Sequence, residues 1–242
     1  MPINLTERGV RVVLLDIEGT TTPMAFVYDV LFPYARTRLG AYLRAHIAED
    51  ELRDVLATLR VEWQEDARKN LDPPPWALAD VPAAARYLEW LMEQDRKSPS
   101  LKRIQGFIWE SGFKSGELKP DLFPDVEPAL ARWKAAGLEI GIYSSGSVLA
   151  QKLIFQNLLA YISAFFDTAV GPKRSVASYT RIANEFQVPP EDVLFVSDVP
   201  EELNAALDAG MQIALAVRPG NRPVEGPESV EEIASFDELT SG

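Results

Sequence analysis

Residues 10–20 read VRVVLLDIEGT, a short apolar run that is followed at once by two acidic residues and a glycine. The run Val10–Leu15 is rich in β-branched side chains and lacks polar alternation, which is typical of a strand buried on both faces. Strands of this kind belong to parallel sheets that carry helices on both sides. The stretch therefore predicts a parallel sheet with Asp16 and Glu18 at the carboxyl end of one strand.

Further apolar runs follow later in the chain, and helical patterns separate them. The predicted strands are 138–143, a short one near 165–166, 193–196 and 211–217. The predicted helices are 125–136, one capped by Ser147, one that starts near Lys173 and one that opens at Pro200. This alternation predicts an α/β fold with a doubly wound parallel sheet.

The segment between the first strand and Pro120 has a different pattern, because helical stretches follow one another there without strands. The predicted helices of this segment are 26–47, 50–69, 82–96 and 99–110. We therefore expect an all-helical cap domain, residues 26–118, inserted into an α/β core made of residues 1–25 and 119–242. The acidic segment 224–242 is expected to be peripheral.

Composition narrows the chemistry that the chain can perform. Its 242 residues are 47% apolar and 25% charged, which is ordinary for a globular protein with a full core. The absence of cysteine excludes disulfides, thiol nucleophiles and thiolate metal sites. The single histidine, His46, lies on a helical segment and is expected to serve packing or the surface. Any metal ion would therefore bind oxygen ligands, which favours Mg²⁺ or Ca²⁺.

The formal net charge of −12 argues against a nucleic-acid partner, because nucleic acids bind basic surfaces. The first residues contain no apolar signal core, and no apolar run is long enough to cross a bilayer. We expect a cytoplasmic protein without a membrane partner, a monomer that acts on a small molecule.

Oxygen-bearing side chains follow three of the predicted strands. They are Asp16 with Glu18, Ser144, and Asp198, while Lys173 follows the short strand near 165–166. Ligands of open α/β sheets bind beyond the carboxyl ends of the strands, so these residues should meet at one edge. Each alone has an ordinary explanation as a turn, cap or solvated residue. Their joint occurrence in this order favours a catalytic site.

This set of residues suits phosphoryl transfer. The carboxylate of Asp16 could attack a phosphate ester to form an aspartyl-phosphate. Attack by one anion on another needs cations, which Lys173 and an Mg²⁺ held by Asp16 and Asp198 would supply. Ser144 and neighbouring backbone N–H groups could hold the phosphoryl group. Glu18 could protonate the leaving oxygen and later deprotonate water.

Four stretches of the chain resemble the motifs of a known family. They are DIEGTTTP at 16–23, DVLFPYA at 29–35, YSSGS at 143–147 and VRPGN at 217–221. Together with Lys173 and the Ser197-Asp198 pair, they resemble the haloacid dehalogenase (HAD) superfamily and, more narrowly, the enolase-phosphatases (acireductone synthases) of methionine salvage. Most members of the superfamily carry aspartate where this chain has Glu18. The resemblance covers nearly the whole chain and implies a HAD-like core with a helical cap.

The resemblance also implies a substrate and roles for individual residues. The substrate would be 2,3-diketo-5-methylthiopentyl 1-phosphate, which is enolised and then dephosphorylated to an acireductone by an Mg²⁺-dependent phosphoric monoester hydrolase. Asp16, Glu18 and Asp198 would form the region of a single Mg²⁺, with Glu18 contributing through its carboxylate or its backbone carbonyl. Ser144, Ser145 and Lys173 would bind substrate.

Two features of this resemblance leave room for more than one interpretation. A second aspartate often follows the Asp198 position in the superfamily, whereas Glu201 and Glu202 occupy that region here. Either of them, or neither, could support Mg²⁺. The helical cap would exclude water from the site, and the segment 109–113 could contact the methylthio tail or the diketone, or simply pack within the cap.

Three other functions compete with this one. A HAD phosphatase for another small phosphate ester would use every one of the same residues. A phospho-acceptor signalling domain also uses strand-end aspartates, a hydroxyl and a lysine, but it lacks a helical insertion after the first strand. A dehalogenase would not need Mg²⁺, and the paired acids Asp16 and Asp198 argue against it.

Overall fold

A computed structural model describes residues 2–76, 81–227 and 230–241 of the chain. It divides into two compact units, one formed by Met1–Val27 with Lys119–Gly242 and the other by Tyr28–Leu118. Residues 77–80 of the predicted helical insertion, and residues 228, 229 and 242 of the predicted peripheral segment, lie outside the described residues.

The first unit contains the strands and four α-helices of the described residues. The strands are β1 (Ile3–Asn4), β2 (Val12–Leu15), β3 (Glu139–Tyr143), β4 (Ala164–Phe166), β5 (Val193–Ser197), β6 (Gln212–Ala216), β7 (Glu231–Ile233) and β8 (Leu239–Thr240). Six of them form one parallel sheet in the order β4-β3-β2-β5-β6-β7, and β1 pairs with β8. The predicted parallel α/β sheet is confirmed, and β2 lies at its centre.

The helices of the second unit come first in the chain, and those of the α/β unit follow. They are α1 (Phe32–His46), α2 (Asp50–Arg68), α3 (Val81–Glu93), α4 (Pro99–Ser115), α5 (Val126–Ala135), α6 (Val148–Ile154), α7 (Val176–Glu185) and α8 (Pro200–Asp208). A π-helical turn at Phe26–Leu31 precedes α1. Ser147 caps α6 as predicted, because its Oγ accepts a hydrogen bond from the Ala150 N–H at 3.2 Å.

The central strand β2 is buried along its whole length, which explains its unbroken apolar sequence. Val12 and Leu14 belong to a core cluster with residues of α7 and α8. Successive side chains of a strand point to opposite faces, so Val13 and Leu15 project the other way, where they are equally buried. Apolar side chains are therefore required on both faces of β2.

The described residues of the second unit form four α-helices, which are held by apolar packing and by a polar cluster around the buried Asp66. The carboxylate of Asp66 on α2 accepts hydrogen bonds from Tyr87 and Arg96, both at 2.8 Å. These bonds satisfy a carboxyl group that is almost wholly buried. His46 closes α1, where it lies 2.7 Å from Glu49 at the surface.

The segment 109–113 lies inside α4 and packs within the helical unit. Trp109 and Phe113 are buried, and the Trp109 indole donates a hydrogen bond to the Leu31 carbonyl at 2.8 Å. Gly112 is close-packed, because a side chain there would overlap the Tyr34 ring. Contact between this segment and a substrate stays a prediction.

The expectation that residues 224–242 are peripheral is wrong for the second half of that segment. There β7 extends the sheet, and β8 pairs with β1. Phe236 and Leu239 are completely buried, and the indole of Trp133 donates to the Leu239 carbonyl at 3.1 Å. The segment is polar overall, but three buried apolar residues spaced among its acidic ones anchor it to the core. They are Ile233, Phe236 and Leu239.

Asp125 binds the C-terminal segment 224–242 to the rest of the first unit through hydrogen bonds. Its Oδ2 accepts hydrogen bonds from the Phe236 N–H at 2.5 Å and from Arg218 at 2.7 Å. Burial acts to raise the pKa of Asp125, but the Phe236 N–H and the Arg218 guanidinium lower it by more, so the pKa lies below its ordinary value. Folding therefore favours the ionised form of this carboxyl.

We expect Asp125→Asn to lower the free energy of unfolding at pH 7 by about 3–5 kcal/mol, because it removes one partner of a buried ion pair. A carboxyl with a lowered pKa stabilises the fold above its unfolded pKa of about 3.9, and this contribution is lost as the pH falls through the folded pKa. The difference between wild type and variant should therefore stay constant from pH 7 to pH 5 and shrink below about pH 4.

Urea denaturation at a series of pH values measures this difference, with Asp121→Asn, an exposed acid in the loop before α5, as the matched control. A difference that does not change with pH would mean that the charge of Asp125 contributes nothing to folding.

Candidate active site

Three adjacent strands bring the predicted site residues to one edge of the sheet. Strand β2 lies between β3 and β5, and the three are paired in parallel register up to their carboxyl ends. Asp16 follows β2 directly, Ser144 follows β3 directly and Asp198 follows β5 directly. The geometry of the sheet therefore places these three residues side by side, as expected from the sequence.

The centre of this edge is a buried lysine between two carboxylates. Lys173 Nζ lies 2.5 Å from Asp16 Oδ1 and 2.6 Å from Glu202 Oε2. All three residues are less than 10% exposed. The hydroxyl of Ser197 lies between the same carboxylates, 2.9 Å from Asp16 Oδ2 and 3.2 Å from Glu202 Oε2. Asp16 thus contacts an ammonium group through one oxygen and a hydroxyl through the other.

The charges of this cluster change the pKa values of its members. Burial acts to lower the pKa of Lys173, but the carboxylates of Asp16 and Glu202 raise it by more, so the pKa lies above its ordinary value. Burial and the charge of Asp16 raise the pKa of Glu202 to about 7, against the opposing effect of Lys173. Lys173 therefore carries a stable positive charge beside Asp16.

Buried hydroxyl groups fix the loop that carries Lys173. The carbonyl of Lys173 accepts a hydrogen bond from the Tyr179 hydroxyl at 2.6 Å. The two preceding carbonyls, of residues 171 and 172, accept from Tyr143 at 2.9 Å and Ser178 at 2.8 Å. A flexible lysine side chain thus starts from a rigid backbone, which sequence reasoning did not reveal.

The loop 16–22, which we call the nucleophile loop after the role predicted for Asp16, folds back on itself directly after β2. The N–H groups of Thr20, Thr21 and Thr22 all point to the Ile17 carbonyl, at 3.0–3.2 Å. Gly19 has a φ of 70°, a left-handed conformation that glycine adopts without strain. A side chain at Gly19 would also overlap the Asp198 carboxylate, so the glycine lets the two strand ends approach closely.

Glu18 turns its carboxyl toward the end of the neighbouring strand. The Ser144 hydroxyl lies 3.4 Å from Glu18 Oε2, and Ser144 Oγ accepts a hydrogen bond from the Gly146 N–H at 3.1 Å. Removal from water and the charge of Asp16 raise the pKa of Glu18. A carboxyl whose pKa is raised can hold a proton and give it up, which suits an acid–base role. Ser145, half-buried, follows Ser144 in the same loop.

Gln151 holds that loop in place, and its role was missed in the sequence. This fully buried side chain donates hydrogen bonds to the Gly146 carbonyl at 3.0 Å and the Phe166 carbonyl at 2.8 Å. The Phe166 carbonyl also accepts from the Ser144 N–H at 3.2 Å. A glutamine on the helix after a serine loop carries no distinctive sequence signal, since most such residues are surface residues.

The two acids near Asp198 separate clearly in the structure. Glu202 is buried against Lys173, whereas Glu201 is exposed and lies 3.8 Å from Arg174. The α8 helix places neighbouring residues about 100° apart, so one of two adjacent glutamates faces the core and the other faces solvent. Sequence alone left this choice open.

Comparisons with known proteins show to which family this chain belongs. The family model described as a haloacid dehalogenase-like hydrolase matches residues 10–210. The chain is 50% identical over 244 residues to enolase-phosphatase E1 of Synechococcus elongatus, with 99% of each chain covered. It is 46% identical over 246 residues to enolase-phosphatase E1 of Drosophila mojavensis, with 98% of each covered. The chain belongs to the enolase-phosphatase family.

The solved structures agree with the family assignment. The UTR4 protein of Saccharomyces cerevisiae is similar with a TM-score of 0.79 and 30% sequence identity, over 95% of this chain and 100% of that one. The resemblance inferred from the four motifs is confirmed, as is the HAD-like fold. In the described part of the chain, no helix combines the length and apolar character needed to cross a membrane.

Phosphatases of the haloacid dehalogenase type generally use Mg²⁺. Asp16 and Asp198 offer the oxygen donors that this ion prefers, and burial together with the charge of Asp16 raises the pKa of Asp198 to about 7. A bound cation would relieve this repulsion between carboxylates, so the residues fit the ion. No group of three or more acidic or histidine side chains is arranged to hold a metal among residues 2–76, 81–227 and 230–241. Mg²⁺ usually keeps several water ligands, so the side chains of Asp16 and Asp198 with the backbone carbonyl of Glu18 would be a sufficient set of protein ligands.

We expect Glu202→Gln to reduce the rate of phosphate release about 10-fold or more in this enolase-phosphatase family member. The glutamine keeps the size of the side chain but removes one of the two charges that position the Lys173 ammonium, and misplaced groups can cost up to about 100-fold. Glu201→Gln, one residue away and exposed, should stay within about twofold of wild type. Steady-state phosphate release with both variants, checked for folding by circular dichroism, gives the comparison. Equal rates for the two variants would contradict a role for Glu202.

Proposed function

We propose that this chain is an enolase-phosphatase of methionine salvage. It converts 2,3-diketo-5-methylthiopentyl 1-phosphate to the acireductone 1,2-dihydroxy-3-keto-5-methylthiopentene and phosphate. The observation that carries the proposal is the buried contact between Asp16 and Lys173 at the sheet edge, in a chain that is similar over its full length to enolase-phosphatases. That contact supplies a carboxylate nucleophile and a phosphate-binding charge at one point.

The first reaction is an enolisation that leaves the phosphate ester intact. A proton leaves C1, which is α to the C2 carbonyl, and its electron pair forms the C1–C2 double bond. The C2 oxygen gains a proton, so the product is an enol phosphate with the same atoms as the substrate. This step needs a base and stabilisation of the enolate oxygen, but it does not need an attacking carboxylate.

Asp16 acts in the second reaction as the nucleophile. Its carboxylate oxygen attacks phosphorus, the bond between phosphorus and the C1 oxygen breaks, and the electron pair leaves with that oxygen. Glu18, two residues further along the nucleophile loop, gives the departing oxygen a proton. Water then attacks the aspartyl-phosphate while Glu18 takes a proton from it, which releases phosphate and restores Asp16.

Lys173 and the serine loop bind the phosphoryl group in this scheme. The Lys173 ammonium lies 2.5 Å from the nucleophile, so it can contact a phosphoryl oxygen as the charge of Asp16 is transferred into the new bond. Ser144 and Ser145 follow the adjacent strand and can donate hydrogen bonds to the same group. The Ser144 hydroxyl already points to Glu18, which places phosphate binding next to proton transfer.

Asp16, Asp198 and the backbone carbonyl of Glu18 would hold one Mg²⁺ per chain. When bound, the ion neutralises charge on the phosphoryl oxygens and reduces the repulsion between substrate and carboxylates. The Glu18 carboxyl faces Ser144, so it stays available for proton transfer if only the carbonyl binds the ion.

We also propose that the enzyme acts as a monomer in the cytoplasm on a free phosphorylated metabolite. The cluster around Lys173 is built from residues of one chain, so a single chain carries the complete cluster. The formal net charge of −12 repels an anionic substrate at long range, so the phosphate has to be bound by the local positive charge of Lys173.

We expect Asp16→Asn to separate the two reactions. The variant keeps the shape and an oxygen donor at this position but removes the nucleophile, so phosphate release should fall by about 10⁴-fold or more. With saturating Mg²⁺ it should still exchange the C1 protons of the substrate with D₂O, and the enol phosphate should accumulate. Proton NMR follows the exchange and phosphorus NMR follows the release.

Two outcomes of this experiment would contradict the scheme. Phosphate release by wild-type enzyme without C1 exchange or an enol product would leave a plain phosphatase for another ester. Phosphate release by a pure Asp16→Asn sample above about a tenth of the wild-type rate would exclude Asp16 as the nucleophile.

Removal of divalent ions tests the metal requirement. EDTA treatment and dialysis should stop turnover, and Mg²⁺ should restore it, because the donor set is oxygen only. Asp198→Ala should raise the Mg²⁺ concentration needed for half-maximal activity by about 10-fold or more, or abolish activity. Asp208→Ala, an exposed acid at the end of α8, is the matched control and should behave as wild type. Full activity in EDTA would instead favour a metal-independent reaction.

A further inference from the structure

The motif VRPGN at 217–221 has no part in the chemistry described above, although it follows β6 at the same edge of the sheet. Strand β5 separates β6 from β2, so this motif is not a neighbour of the nucleophile loop by strand pairing. Two of its side chains nevertheless reach that loop. Asn221 Nδ2 donates to the Gly19 carbonyl at 2.8 Å, and Arg218 Nε donates to the Thr20 carbonyl at 3.0 Å.

We propose that Asn221 and Arg218 are positioning residues, which fix two successive carbonyls of the nucleophile loop and thereby set the position of the Glu18 carboxyl. The inference rests on the proposed function, because it gives these residues their effect through the proton transfer assigned to Glu18. Neither residue contacts the reacting groups in this scheme.

Two backbone carbonyls determine the orientation of the Asn221 side-chain amide. Its amide nitrogen lies 2.8 Å from the Gly19 carbonyl and 3.4 Å from the Ala216 carbonyl, and two carbonyl acceptors require the NH₂ end of the amide to face them. A side chain at position 19 would overlap the Asp198 carboxylate and come within 3.1 Å of the Asn221 amide nitrogen, so both groups lie close against Gly19. The peptide group that follows Gly19 is therefore held by an amide donor, at a point where Asp198 leaves no room for a side chain.

Arg218 is itself immobilised, so it can act as a fixed point. Its side chain is 3% exposed and pairs with Asp125 at 2.7 Å. The guanidinium also lies against the rings of Phe123 and Phe236, with its centre 4.7 and 4.4 Å from the two ring centroids. Arg218 thus connects the nucleophile loop to the C-terminal segment that contains β7 and β8.

The position of Glu18 depends on the Gly19 contact because the two residues are adjacent in the chain. Glu18 directly precedes Gly19, and its carboxyl lies 3.4 Å from the Ser144 hydroxyl. If the Gly19 carbonyl loses its donor, the peptide group after Gly19 can rotate and Glu18 moves with it. Phosphate binding by Lys173 depends on a different loop, so it should be preserved. The effect should therefore fall on proton transfer to the leaving group.

Asn221 is the residue to vary, because replacing Arg218 would break a buried ion pair and destabilise the fold. Asn221 is half-buried, so Asn221→Ala and the nearly isosteric Asn221→Leu should both fold. The measured quantity is kcat/KM, which reports steps up to and including phosphoryl transfer to Asp16. Both variants should lose about 10- to 100-fold on the diketone phosphate, the cost expected of a misplaced group. Asn204→Ala, exposed on α8, is the matched control and should not change.

The decisive measurement combines Asn221→Ala with Glu18→Gln. If Asn221 acts through Glu18, adding Asn221→Ala to Glu18→Gln should change kcat/KM by less than about twofold, because the group that it positions is already gone. Losses that multiply in the double variant would overturn the inference and leave the proposed function untouched. If Glu18→Gln instead keeps the wild-type kcat/KM, Glu18 has no acid–base role. That result would contradict both the proton transfer assigned to Glu18 and the positioning role inferred for Asn221.

A leaving-group comparison provides an independent readout. An aryl phosphate with an acidic phenol needs little protonation of its leaving oxygen, whereas an alkyl phosphate needs it. Asn221→Ala should therefore lose much less kcat/KM on p-nitrophenyl phosphate than on the diketone phosphate. An equal loss on both substrates would indicate general damage to the site and contradict the proposal.

Discussion

One ammonium group between two buried carboxylates is the constraint on which the site depends. Lys173 lies within 2.6 Å of both Asp16 and Glu202. Charges removed from water are tolerated only when they are paired and hydrogen-bonded, so the position of each member restricts the others. The hydroxyls of Tyr143, Ser178 and Tyr179 on the carbonyls of the lysine loop follow from the same requirement. Side chains of β3 and α7 thus fix the backbone of this loop, while Glu202 of α8 pairs with the ammonium and Ser197 of β5 bridges the two carboxylates.

The charges around Lys173 do not balance, and this excess suits the reaction. Asp16, Glu18, Asp198 and Glu202 face a single ammonium group, and the pKa values of the last three are raised. Such a site carries repulsion that a divalent cation would relieve. It also keeps carboxyl groups with raised pKa values beside Asp16, so that carboxyl groups in different surroundings could perform different tasks.

Strand-level features could be predicted from the sequence because they depend on local composition. The unbroken apolar run of β2 required burial on both faces, and the polar residues after β2, β3 and β5 had to meet once the sheet was parallel. These patterns extend over only a few residues, so they can be recognised in the sequence without knowledge of the tertiary structure.

Other parts of the site depended on contacts between residues far apart in the chain. Glu201 and Glu202 are adjacent and chemically identical, and only the orientation of α8 separates them. Gln151 and Asn221 act through single amide donors on distant carbonyls, which no local pattern marks. The acidic C-terminal segment was judged by its average composition, whereas its position depends on a few buried residues such as Phe236 and Leu239.

We expect the Asp16 carboxylate, held against Lys173, to become phosphorylated during turnover. A single-turnover reaction with the ³²P-labelled diketone phosphate, quenched in acid at successive times and mapped by proteolysis, tests it directly. The label should appear in a peptide that contains Asp16 and should rise and decay as phosphate appears, with no label in Asp16→Asn. Release of phosphate at the normal rate with no labelled peptide at any time, or with the label on another residue, would exclude Asp16 as the nucleophile.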